Sequence, residues 1–215
     1  MRNYYHQQLS QLNEELIRMG AACEEIIGLA AQALTDHSRS LEEKTQQVGA
    51  AIDESERTIE NICLKLLLRQ QPVARDLRQI SAAMKMITDM ERIGDQAEDI
   101  VDLIPKMTRA AGEDGQMLTK MAQAAKNMVT EAVDAYVKQD LQLAGKVIGD
   151  DDIVDDYFNA VKTGIIQLIA QNPAEGEYAL DLLMIAKYFE RIGDHCTNIA
   201  EWVEFSLTGS HDIRE

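Results

Sequence analysis

Two short strings carry the residues of this sequence best suited to chemistry. Met90-Glu91-Arg92-Ile93-Gly94-Asp95 and Phe189-Glu190-Arg191-Ile192-Gly193-Asp194 share the run Glu-Arg-Ile-Gly-Asp, and each sets an aspartate four positions after a glutamate. On a helix, at about 100° per residue, such a pair lies on one face a turn apart. Asp99 extends the first row by another turn, and Asn198 takes the matching place in the second. Like charges so placed repel by a few tenths of a kcal/mol, so a row of them is mildly costly until something neutralises it. A hard cation is the natural neutraliser, because Mg2+, Ca2+, Mn2+ and iron accept carboxylate oxygens as ligands. Gly94 and Gly193 add to this: a mid-helix glycine costs about 1 kcal/mol against alanine and is best understood where a helix or ligand approaches closely.

A preceding helix in each half offers further acids. In the second half these are Asp150, Asp151, Asp152, Asp155 and Asp156, with Asp151 and Asp155 one turn apart; the aligned pair in the first half is Gly49 and Asp53. The first site therefore has one carboxylate fewer. Arg92 and Arg191 are placed to anchor the acids, to bind an anion or to form ordinary surface pairs. The same rows would also suit a carboxylate-bridged metallohydrolase or oxygenase, or a plain solvated face. Their recurrence at one place in both halves favours a metal site.

Other chemistry lacks its residues. No glutamate stands three positions before His6, His37, His195 or His211, as a ferritin-like di-iron centre requires. There is no phosphate-binding Gly-x-x-x-x-Gly-Lys loop and no Gly-x-Gly-x-x-Gly, and the Asp150 cluster lacks the glycine and closing glutamate of an EF-hand. His195, Trp202 and the methionines read as packing residues.

The elements that must position these acids are helices. Apolar residues at three and four residue steps predict them over about 4–37, 41–69, 73–105, 116–138, 141–171 and 177–207. Ser40 with Glu43 reads as a capping box, Asp140 as a cap, and Gln71-Pro72 and Asn172-Pro173 as stops. Leu9, Leu12, Leu16, Met19, Cys23, Ile26, Ala30 and Leu34 make the core stripe of the first helix. Met86, Met90, Ile93, Ala97, Ile100 and Ile104 make that of the third, and Ile185, Phe189, Ile192, Cys196, Ile199 and Val203 that of the sixth, with the acids roughly opposite. Short connections predict antiparallel neighbours. The fold class is all-α: two tandem antiparallel three-helix bundles, copies of one unit over 1–110 and 111–215.

Composition sets outer limits. The 215 residues carry a formal charge of −16, which repels nucleic-acid phosphates. Aromatic residues make up 5%, which suits helices better than strands. No apolar run approaches the ~18 residues of a membrane span, and the polar start, without a signal-peptide core, points to the cytoplasm. Cys23, Cys63 and Cys196, odd in number and far apart, fit reduced thiols in a helical core.

The two repeated strings, together with Gln-Gln-Pro-Val-Ala-Arg-Asp-Leu-Arg at 70–78 and Phe-Glu-Arg-Ile-Gly-Asp-His-Cys-Thr-Asn-Ile at 189–199, make the chain resemble the PhoU family of bacterial phosphate-uptake regulators over essentially its whole length. The resemblance implies two symmetric three-helix bundles whose Glu/Asp-x-x-x-Asp pairs hold metal clusters at the surface. By that resemblance the metal ligands are Asp151, Asp155, Glu190 and Asp194 in the second half. In the first they are Asp53, Glu91 and Asp95, with Gly49 departing from the acidic position. The metal would be divalent or trivalent: Mg, Mn, Fe, Zn or Ca. The resemblance further implies a non-enzymatic homodimer, cytoplasmic or peripheral at the inner face of the membrane. When phosphate is plentiful it would restrain the Pst ABC transporter through its ATPase, and keep the PhoR sensor kinase from activating PhoB.

Overall fold

The computed structural model describes residues 2–36, 38–70, 73–112 and 115–210. Its helices are α1 (Arg2–Ala33), α2 (Arg39–Gln70), α3 (Ala74–Leu103), α4 (Gly115–Lys138), α5 (Leu141–Gln171) and α6 (Gly176–Thr208). No strand occurs among the described residues. A 3-10 turn, Ile104–Lys106, follows α3, and another, Pro173–Glu175, leads into α6. Asp140 caps α5 as expected, its carboxylate accepting from the amides of Gln142 and Leu143 at 3.0 Å each. α6 ends at Gly209, whose φ of 80° suits a residue without Cβ.

Three expectations are corrected. α1 stops at Ala33, short of the predicted end at His37, which lies outside the described residues, as do Gln71 and Pro72. Leu34 is buried, so the apolar spacing continues after the helix has tightened into a turn in which the Leu34 amide bonds the Ala31 carbonyl. The capping box does not form: α2 begins at Arg39, the Ser40 hydroxyl bonds that of Ser38, and Glu43 pairs with Arg39 at 3.0 Å. Met117 and Met184 are exposed rather than packed.

α1, α2 and α3 pack pairwise into one bundle, and α4, α5 and α6 into a second. The bundles join along α1 with α4 and, most extensively, α3 with α6. One continuous apolar core runs through both, and every residue of the α3 and α6 stripes lies in it. Across the junction, Asp89 Oδ1 meets His195 Nδ1 at 2.9 Å and accepts from Asn198 Nδ2 at 3.2 Å, and the Tyr136 hydroxyl donates to the Gln79 carbonyl. Cys23, Cys63 and Cys196 are buried and free. Burial pushes the Cys23 and Cys63 thiols up to about 12, so they stay protonated, as packing groups do.

Because α3 and α6 spend their apolar stripes on this shared core, their acidic faces turn away from it. The acids of α3 are left to face α2, and those of α6 to face α5.

Candidate metal sites

The second-half site lies where α5 and α6 cross. Val154 of α5 packs over Gly193 of α6: a Cβ at Gly193 would stand 3.2 Å from Val154 Cγ1 and 3.0 Å from Asp151 Oδ1. The glycine thus lets the α5 backbone close in and leaves room for the Asp151 carboxylate. Asp151 is pushed up to about 6, first by lost hydration and then by Asp194, Asp155 and Glu190. Lost hydration, followed by Glu190, raises Asp155 and Asp194 as well. The four predicted second-half ligands therefore sit within one another's fields. Lys187, a turn before Glu190, sits against both oxygens of its carboxylate, donating to Oε1 and ion-paired with the buried Oε2, each at 2.5 Å.

The first-half site is a hollow of about 210 Å3 between α2 and α3, whose walls include Gly49, Asp53, Glu91, Gly94, Asp95 and Glu98. All three predicted first-half ligands line it. Gly94 faces Ile52, where a Cβ would stand 3.3 Å from Ile52 Cδ1. Glu91 is raised by lost hydration, then by Asp95 and Glu56. Arg92 pairs with Glu91 at 3.5 Å.

Asp99, which extends the row by sequence, is not among the residues that line the hollow. Its carboxyl is raised by lost hydration and then by Asp95 and Asp102, with Arg191 and Lys106 opposing. Glu98 lines the hollow instead, raised by lost hydration and then by Asp95 and Asp53. The helical spacing contained this: seven residues are nearly two full turns, which brings Glu98 within about 20° of Glu91, whereas Asp99 is about 80° away. Reading strict i+4 steps drifts off the face. Glu56, among the charges acting on Glu91, is a second acid that the motif did not flag.

Asp150 is engaged by Lys146 at 2.7 Å, and Asp152 and Asp156 are exposed on α5. His195 is held by Asp89 and serves the junction between bundles, in keeping with a packing role.

The donors present suit a hard cation. They are carboxylates whose neighbouring charges are mostly other carboxylates. As they stand, no group of three or more acid, histidine or cysteine side chains among the described residues is gathered closely enough to hold an ion. Lys187 and Arg92 occupy Glu190 and Glu91 as ion-pair partners.

Comparison with known proteins extends these observations. The model of the PhoU domain matches twice, at residues 16–104 and 118–203. The phosphate-specific transport system accessory protein PhoU homolog of Clostridium acetobutylicum is 32% identical over 210 residues, covering 97% of this chain and 96% of that relative. The protein so named from Synechocystis is 33% identical over 216 residues, covering 98% of this chain and 94% of its own length. The crystal structure of PhoU from Pseudomonas aeruginosa superposes with a TM-score of 0.89 at 28% identity, over 96% of this chain and 100% of that one. That of the phosphate transport system regulatory protein PhoU from Streptococcus pneumoniae, at 24% identity and a TM-score of 0.87, shares the fold.

Proposed function

This chain belongs to the PhoU family, and from that membership we propose that it is a regulatory accessory protein of phosphate transport, acting through protein contacts rather than catalysis. The observation that carries the reading is the end-to-end match to relatives named as phosphate-specific transport accessory proteins. Its partners would be the ATPase of the Pst transporter and the PhoR sensor kinase, which it restrains when phosphate is plentiful so that PhoB stays inactive. A homodimer would present two copies of the contact surface. No described helix is long and apolar enough to cross a membrane, so contact with a transporter would be made from the side of its soluble parts.

The metal reading forms part of the same proposal. Asp151, Asp155, Glu190 and Asp194 would hold a hard divalent or trivalent cation in the second half, and Asp53, Glu91 and Asp95 in the first. Bound there, the cation would supply positive charge that cancels carboxylate repulsion and braces α5 on α6 and α2 on α3. Since α3 and α6 also form the main junction between the bundles, bracing would be felt across the molecule.

Deleting the gene and following phosphate uptake and phosphate-regulon expression in phosphate-rich medium tests the role. Uptake and expression should both rise, and a copy carrying Glu190→Ala and Asp194→Ala should restore repression less fully than the unaltered gene. Unchanged uptake and expression in the deletion strain would overturn it.

A further inference from the structure

We propose that Glu98 completes the first-half metal site, supplying from α3 the carboxylate that Gly49 fails to supply from α2. The inference rests on the metal reading above and adds a ligand that the repeat between the halves does not contain. The position matching Glu98 in the second half is Thr197, which offers no carboxylate, just as the position matching Asp151 in the first half is Gly49. An acid is thus added on one helix where one has been removed from its neighbour.

The geometry of the two glycines supports the exchange. A Cβ at Gly49 would stand 1.8 Å from Glu98 Oε1 and 2.7 Å from its carboxyl carbon, so the Glu98 carboxylate occupies the room that the missing side chain leaves. In the second half the Asp151 carboxylate lies over Gly193. Each half therefore sends one carboxylate across its helix pair onto a glycine of the facing helix. The direction is reversed: from α5 to α6 in one, and from α3 to α2 in the other.

Glu98 gains no cation partner by this reach. The leading charges around it, Asp95, Asp53, Asp102 and Asp99, are all negative. An exposed helix would let such a side chain swing away, yet this one is drawn into the hollow that holds Asp53, Glu91 and Asp95. A hard divalent cation there would meet one carboxylate from α2 and three from α3, against two and two in the second half. Each half keeps four carboxylates, and the two sites differ in which helix gives them.

The test is Mn2+ binding to the full chain, by calorimetry and by the electron paramagnetic resonance signal of free Mn2+. An Asp155→Asn, Asp194→Asn background leaves the first-half site alone. In that background Glu98→Gln should weaken binding by at least about tenfold. Gly49→Asp with Glu98→Thr, which installs the second-half arrangement, should recover most of the loss. Circular dichroism melting of each variant confirms that it is folded. If Glu98→Gln binds as tightly as the background while Asp95→Asn abolishes binding, the metal site stands and the role of Glu98 falls. If the background binds no Mn2+, or Asp95→Asn leaves binding intact, the first-half metal reading fails and this inference with it.

Discussion

Asp151 is the side chain on which the competing forces are clearest. It has lost part of its hydration between α5 and α6 and faces further acids, Asp194, Asp155, Glu190 and Asp152, so its carboxyl is raised from 3.8 to about 6. Such a shift has a definite sign for stability. Below about pH 4 the group is protonated whether the chain is folded or not, and it costs nothing. Between about pH 4 and about pH 6 the unfolded chain gives up this proton while the folded state keeps it, so the metal-free fold loses stability across that window and levels off above it. Asp151→Asn should therefore stabilise the chelator-treated protein at about pH 8, by roughly 1 kcal/mol once solvent screening of the half-exposed group is discounted, or a few degrees in Tm. The gain should fade as the pH is lowered toward about 4. With a saturating divalent cation the same variant should melt lower than the unaltered chain, because a ligand has been lost. Thermal melts at two pH values, with and without Mn2+, check both signs. The sequence singles out these acids by two routes: Glu190 and Asp194 by the repeated Glu-x-x-x-Asp string, and Asp151 and Asp155 by the acidic run on the preceding helix. The place of Glu98 was not legible there, because strict four-residue steps hide a side chain that returns to the same face after seven, and because what drew it there is a vacancy on another helix.

The helices themselves were largely written in the apolar spacing. The core stripes of α3 and α6 are buried throughout, and Asp140 caps α5. Errors fell at helix ends, where a hydrogen-bond choice decides rather than a pattern: Leu34 keeps the rhythm of α1 although the helix has ended, and Ser40 lies within α2 rather than before it. Spacing also could not specify which helices of the two bundles would meet. α3 and α6 do, and they are tied by Asp89, which serves both His195 and Asn198. Asp89→Ala should cost about 1 kcal/mol, a fall of roughly 2–4 °C in Tm, since it strips the partly buried His195 and the exposed Asn198 of their shared partner. It should leave Mn2+ affinity within about twofold, because Asp89 lies outside both clefts; differential scanning calorimetry and a Mn2+ titration read the two effects separately.

For the molecule as a whole, duplication organises the charge. A formal −16 spread at random would serve solubility alone. Here a share of it is gathered at equivalent helix crossings of two bundles, beside a core that both halves share. The acids lie on α3 and α6, the helices that also form the main junction, so the proposed cations would be linked to the way the bundles sit on one another. Anomalous scattering at the manganese edge, from crystals of the full chain grown with Mn2+, bears on this most directly. The expected result is density between α5 and α6 at about 2.0–2.6 Å from oxygens of Asp151, Asp155, Glu190 and Asp194, and again between α2 and α3 among Asp53, Glu91, Asp95 and Glu98. Crystals in which Mn2+ binds elsewhere on the surface while both clefts stay empty would contradict it.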